Sequence, residues 1–500
     1  MTPRRRTIRS VENTMTQPAT RTLSKYTYAI GAEARRDNVT CTGEAFPTGK
    51  RDVWSYNLRQ ELIGTAVEQP VGTPLPAQNR EYAYDPIGNR THSRTGTDSP
   101  LYYCVNDVNQ YEATAGAPEC ATPVETFGYD ADGNLVFDGT YRYEWDGENR
   151  LKAVYKAQPN AGDRRLVFDY DYMSRRVRRR AFVWTGSAWP DPDTDPPVED
   201  LRFVYDEWNV IMVLDGLKGN AIDRKYTWGL DLSGAFHRAG GIRGLLACEK
   251  TSGTHQGSYW YFYDANGNVG QLVSATSNFP ITARYEYDAY GNALVATGTS
   301  AAANPFRFST KWQDNETGLY YYGYRYYSPT PGRWISRDPV QEFGGVNVFA
   351  FVGNKPPDRV DALGLSCCPG DRYGGTTYAR TCGLLGCGVQ DCTDCYVCVS
   401  SETPTGWTSA WRRYSTNCGS CVWPSRYPGT APAPCPSGPS GAASGEAYTQ
   451  CCNFVNGSRT ATNCHGCCDS MYQGPPSVPP LDKFPGWSSC HAWCLQFPAQ

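Results

Sequence analysis

Aromatic residues recur two apart and then give way to a polar turn in EYAYDPIGNR (81–90), FGYDADGNLV (127–136), YRYEWDGENRL (141–151), YWYFYDANGNV (259–269) and YEYDAYGNAL (285–294). In the first of these words Tyr82 and Tyr84 fall on one face of a strand. Asp85 can accept hydrogen bonds from backbone N–H groups two residues on, and Gly88 and Asn89 tolerate the positive φ that reverses the chain. Each word therefore predicts a β-hairpin built on a D-x-x-G-N turn. DYDYMSRRVRRR (169–180) and FVYDEWNVIMVLDG (203–216) are degenerate copies. A hairpin cannot bury a face alone, so the hairpins must stack edge to edge. Asp130, Asp146, Asp171 and Asp206 are unevenly spaced, which argues against propeller blades. Tyrosine faces also stack on sugars, so carbohydrate binding is the other reading of these words. Hairpin construction is preferred, because turn chemistry accounts for Asp, Gly and Asn without a ligand.

Two stretches interrupt the pattern. SAWPDPDTDPPVED (187–200) is too polar and proline-rich for an inner strand and predicts a loop. RRVRRR (175–180) reads either as a nucleic-acid patch or, at period two, as an arginine-rich strand face paired with that acidic loop; the second reading is preferred.

Composition narrows the classes. The 35 Tyr, 50 Gly and 36 Pro suit a turn-rich all-β protein, and 500 residues imply several domains. A formal net charge of −3 gives no electrostatic reason to expect nucleic acid or an anionic membrane as partner. No apolar run is long enough for a transmembrane helix. MTPRRRTIRS is basic but no apolar h-region follows, so a standard secretory signal is not expected. Either a dedicated machine exports the chain or upstream sequence is missing, and the second is preferred.

ETGLYYYGYRYYSPTPGRWISRDP (316–339), NVFAFVGNKPPDRVDALGL (347–365) and YTWGLDLSG (226–234) resemble the core region of the Rhs/YD-repeat family. The resemblance covers roughly residues 82–365. Family members are large β-rich proteins, often carriers of C-terminal polymorphic toxins, related to the C component of insecticidal toxin complexes. The resemblance implies a mainly β fold in which stacked YD-repeat hairpins spiral into a hollow shell. With so few hairpins, a partial shell with an exposed N-terminal edge is expected, followed by a small irregular Cys-rich domain.

Related carriers cut themselves after the final Leu of a P-x-x-x-x-D-P-x-G-L motif, using aspartates of the core. Pro356, Asp361, Gly364 and Leu365 match it, with Ala362 where the second Pro usually stands, and Arg337-Asp338-Pro339 matches the family's R-D-P word. The resemblance implies Asp338 and Asp361 as an aspartyl pair and Leu365–Ser366 as the scissile bond. Arg337 or Arg333 would bias which carboxylate is charged, and Asp358 is the alternative acid. Two carboxylates held close share a proton, so one can activate water while the other polarises the carbonyl. Turn-capping aspartates in a plug that never cuts are the structural alternative.

Beyond Leu365 the material changes, because 17 of the 21 cysteines follow it. That density marks a disulfide scaffold. Cys367, Cys368, Cys382, Cys387, Cys398, Cys451, Cys452, Cys468, Cys490 and Cys494 are the disulfide candidates. Zinc is the competing reading, at Cys392, Cys395, Cys418, Cys421, Cys464 and Cys467 in C-x-x-C words, with His465 and His491 beside them. No other cofactor is expected. The odd count leaves one thiol free, or paired with Cys248 or another chain. His465, His491, Asp469 and Asp482 are acid–base candidates without the spacing of a known reaction.

The expected organisation is a poorly defined N-terminal segment or truncated repeat (1–80), hairpin repeats (81–315), the core with its seam (316–365) and a variable Cys-rich domain (366–500). The expected function is a carrier that presents a Cys-rich effector and releases it by aspartyl self-cleavage. Its partners would be a target cell or glycan, an immunity protein and an export machinery, with the product secreted or at the cell surface. A surface adhesion or glycan-binding protein that is never cut, and a truncated remnant, are the alternatives.

Overall fold

The computed structural model describes residues 8–365, apart from 32 and 344, and the backbone of four tail strands, Arg372–Tyr373, Thr376–Thr377, Cys395–Thr403 and Gly406–Tyr414. The chain divides into two units, residues 1–367 with 382–388, and 368–381 with 389–500. Among the described residues there is no α-helix, only three-residue 3-10 turns such as Pro76–Gln78. Everything else regular is antiparallel β. Ten strands from Ser10–Met15 to Pro123–Thr126 form one sheet and fourteen from Gly128–Tyr129 to Ala293–Thr297 form a second. Every strand pairs with its neighbours in sequence, and neither sheet closes on itself. A third sheet of four short strands runs from Trp312–Gln313 to Arg333–Trp334.

Residues 1–80 differ from expectation. Five strands, from Ser10–Met15 to Leu62–Glu68, continue directly into the repeat strands of the same sheet. They bury Leu23, Tyr26, Tyr28, Val39 and Leu62. Their turns lack the full word but reuse its chemistry. Asn57 stands in for Asp, and its Oδ1 accepts from the N–H groups of Arg59 and Glu61 at 2.9 and 3.0 Å.

The complete words show how the repeat works. Asp85 Oδ1 accepts from the backbone N–H groups of Ile87, Gly88 and Asn89 at 2.8–2.9 Å. Gly88 reverses the chain with a φ of 97°. Asn89 does not share that conformation, contrary to expectation. Its side-chain amide donates to Asp85 Oδ2 at 2.8 Å, so the carboxylate is saturated. The tyrosine before the Asp has a separate task. At Tyr84, Tyr170, Tyr205, Tyr263 and Tyr287 the strand register slips by one residue. Each of these hydroxyls donates to the first carbonyl of the previous hairpin's return strand or to its equivalent: Leu62, Leu151, Arg176, Leu245 and Val269 respectively. Trp145 does the same through Nε1 to Leu135 at 2.8 Å. The tyrosine thus joins one hairpin to the one before it and satisfies a buried carbonyl.

The two large sheets enclose the segment that follows them. Tyr320, Tyr322, Tyr327, Trp334 and Phe351 are buried against Leu62 and Tyr82 of the first sheet and Tyr290 of the second, while Phe306, Trp312, Tyr321 and Tyr326 pack on the second. The start of the first sheet meets the end of the second. Ser24 Oγ donates to Gln271 Oε1 at 2.6 Å, and Asn13 Nδ2 to the Tyr263 carbonyl at 2.9 Å. The arginines of RRVRRR pair with acidic side chains of the chain itself. Arg178 pairs with Asp200 at 2.7 Å, Arg179 with Glu199, and Arg176 and Arg179 with Asp314 at 2.6 and 3.2 Å.

Candidate functional site

The residues before the seam fold as a repeat turn. Asp361 Oδ1 accepts from the N–H groups of Leu363, Gly364 and Leu365 at 3.2, 2.8 and 3.0 Å. Gly364 has a φ of 76°, as Gly88 does at the same turn position with 97°. The turn's carbonyls are held one by one. Ala362 accepts from Lys311 Nζ at 2.5 Å, Leu363 from the Tyr324 N–H at 3.0 Å, and Gly364 from Arg325 Nε. Leu365 is itself buried, at 4 % exposure.

Asp338 enters from the end of the third sheet. Its N–H donates to the Val348 carbonyl at 3.0 Å, and its Oδ1 accepts from the Val340 N–H at 3.0 Å. Arg325 lies between the two acids. Its Nη2 is 2.8 Å from Asp338 Oδ2 and 3.7 Å from Asp361 Oδ2, and its guanidinium is stacked 4.2 Å from the centre of the Trp334 ring. All three charged side chains are nearly inaccessible.

Burial sets the electrostatics. It pushes the Asp361 carboxyl up to about 6; Arg325 pulls the other way and Asp338 adds to the rise. Asp361 Oδ2 is buried and accepts no hydrogen bond, which makes it the natural seat of a proton. Burial also lowers Lys311 to about 8, opposed by Asp361 and Asp231. Lys311 spends its donors on two carbonyls, Ala362 and Gly240, the latter at 2.9 Å. One acid paired with a guanidinium and a second with an open, proton-holding oxygen can serve as base and acid in the hydrolysis of an adjacent amide.

The structure brings Asp338, Asp361 and Leu365 together. It does not bring Arg337, whose exposed side chain lies against the Gly133 turn. Arg333 stacks on Tyr111 and Phe349 at 3.9 and 4.8 Å, away from the pair. The guanidinium between the acids is that of Arg325, a residue sequence reasoning missed; in the run YYYGYRYY nothing distinguishes it. Asp358 accepts from the Arg36 N–H at 3.0 Å and belongs to another contact. Ser366 lies outside the described residues. So do Cys367, Cys368, Cys382, Cys387, Cys392, Cys418, Cys421, Cys451, Cys452, Cys464, Cys467, Cys468, Cys490 and Cys494, together with His465, Asp469, Asp482 and His491. Cys395 and Cys398 fall in a tail strand described only by its backbone. Among the described residues Cys104 and Cys120 form a disulfide that was not anticipated, and Cys248 is a free, buried thiol. Most tyrosines of the words are committed to packing and to hairpin joints, while Tyr172 is exposed.

No protein-family model matches the chain. It is 29 % identical over 295 residues to the tRNA3(Ser)-specific nuclease WapA of Bacillus spizizenii, covering 57 % of this chain and 11 % of that protein. It is 27 % identical over 369 residues to the probable deoxyribonuclease RhsB of Dickeya dadantii, covering 67 % and 24 %. Toxin subunit YenC1 of Yersinia entomophaga is 39 % identical over 110 residues, covering 21 % and 11 %. The chain thus spans between 11 % and 24 % of the length of these relatives. Among solved structures, a TcdB2-TccC3-TEV structure aligns with a TM-score of 0.34 and 18 % identity, covering 71 % of this chain and 21 % of that one.

Proposed function

This chain is an Rhs/YD-repeat protein, and from that premise we propose that its β shell carries the Cys-rich tail as an effector and frees it by cutting the Leu365–Ser366 bond. The observation that carries this reading is the open Asp361 Oδ2 beside the Arg325–Asp338 pair, next to a turn whose backbone is fixed up to Leu365. In the cut, Asp338 takes a proton from water as the oxygen attacks the Leu365 carbonyl carbon. Asp361 gives its proton to the carbonyl oxygen. Collapse of the tetrahedral intermediate breaks the C–N bond, and the Ser366 amine leaves with a proton, restoring the acids. Arg325 pairs with Asp338 at 2.8 Å and spaces the two carboxylates.

The names of the relatives support a carrier role. They denote a tRNA nuclease, a deoxyribonuclease and a toxin subunit. Different activities on proteins that share this region point to a common carrier with exchangeable ends. The tail would then act on a target cell, with an immunity protein protecting the producer. Either disulfides or zinc would hold it together. The Cys104–Cys120 disulfide favours an oxidising destination, outside the cell or on its surface.

The test is the intact mass of the purified full chain beside Asp338→Asn. A break after Leu365 in the parent, absent from the variant, is expected. A parent that stays whole sinks the self-cleavage reading and leaves an uncut surface protein or a remnant as the working description.

A further inference from the structure

The seam turn shares the Oδ1 bonds and the positive-φ glycine of the Asp-opened repeat turns but differs from six of them at its fifth residue. In the turns opened by Asp85, Asp130, Asp264 and Asp288, the fifth residue is Asn, and its amide donates to the Asp Oδ2 at 2.8, 3.0, 2.8 and 2.8 Å. In those opened by Asp146 and Asp171 it is Arg, donating from Nε at 2.8 Å in both. In each of these six turns the fifth side chain caps Oδ2; in the turn opened by Asp231 the fifth residue is Ala235, and the Ala239 N–H caps Oδ2 instead. At the seam the fifth residue is Leu365, which has no donor, and Asp361 Oδ2 stays open.

We propose that residue 365 decides whether such a turn is structural or reactive: Leu365 withholds the side-chain cap and so leaves Asp361 Oδ2 free to carry the proton that the cut requires. The inference rests on the self-cleavage reading above. A donor on Oδ2 would favour the ionised carboxylate and occupy the lone pair that the proton needs. Burial alone is not the distinction, because desolvation raises the half-buried Asp264 and Asp288 as well. The open oxygen is what sets Asp361 apart. The charged groups around it are Arg325 and Asp338 from the third sheet and its margin, and Lys311 across the Ala362 carbonyl.

The experiment follows self-cleavage of the pulse-labelled full chain, made by cell-free translation, from pH 5 to 8.5. Leu365→Met, without a donor, is expected to keep the parent's pH profile whatever its absolute rate. Leu365→Asn restores the cap and is expected to cut about tenfold slower at pH 7, recovering as the pH falls, with its profile displaced by about one pH unit to acid. A side chain that merely fits the site poorly would lower the rate by the same factor at every pH, and that outcome overturns the inference. So does Leu365→Asn cutting like the parent. If Leu365→Asn is insoluble, Leu365→Arg carries the other native cap and is read in the same way. Failure of both to fold also overturns the inference, since six turns of this chain accept those residues. A parent that is never cut overturns the self-cleavage reading itself, and this inference falls with it.

Discussion

At the scale of single residues, the tyrosine and aspartate of each word have separate work. The aspartate closes its own turn, and the tyrosine closes the joint to the hairpin before. Tyr170 donates to the Leu151 carbonyl at 2.7 Å from a half-buried ring. Tyr170→Phe keeps the ring and strands that carbonyl, so we expect a loss of about 1–2 kcal/mol, read as a lower urea midpoint of the full chain. Asp361 gives a second expectation, with a defined sign. Its carboxyl is raised from 3.8 to about 6 in the fold. The protonated form therefore stabilises the fold below pH 4, and that contribution is lost as pH rises through 6. In uncut chains carrying Asp338→Asn, adding Asp361→Asn should remove this dependence. The double variant should gain roughly 2 kcal/mol relative to the single one between pH 4 and pH 7. Equal pH dependence of the two chains in urea unfolding would contradict the burial of an ionisable acid here.

At the scale of elements, one turn position meets different surroundings in different hairpins. Gly133 and Gly291 occupy the same place, with φ of 84° and 92°. A Cβ on Gly133 would meet the side chain of Arg337, which is exposed and can swing away. A Cβ on Gly291 would lie 2.7 Å from the buried Phe308 ring, which cannot. Gly133→Ala should cost about 1 kcal/mol and Gly291→Ala at least about 2 kcal/mol, compared by thermal unfolding of the two full-length variants. Turn chemistry was the most legible part of the sequence, because Asp and Gly act within five residues of each other. The role of Asn89 was misread: its tolerance of positive φ is general, whereas the bond it makes depends on the oxygen Asp85 leaves over. The hairpins of residues 10–68 were not legible as repeats, since Tyr56-Asn57 replaces the Tyr-Asp signal while keeping its hydrogen bonds.

At the scale of the whole molecule, the mainly β fold could be read from the chain and the two acids only through the family resemblance, but the guanidinium that lies between them could not. Arg325, Asp338 and Asp361 are brought together by folding of the plug, and no local pattern marks the arginine. The same holds for Arg176 and Asp314, which tie the second sheet to the plug at 2.6 Å from positions 138 residues apart. The joints between hairpins behave differently. Most hairpins carry a donor for the one before and an acceptor for the one after, so most internal boundaries are chemically alike, Val105 marking an exception. Adding or deleting a whole hairpin pair recreates the boundary it interrupts and asks nothing new of its neighbours. The number of hairpins is therefore open to revision by duplication or loss of repeats, while the segment that follows the sheets, tied to the second sheet by Arg176 and Asp314, has to be inherited intact.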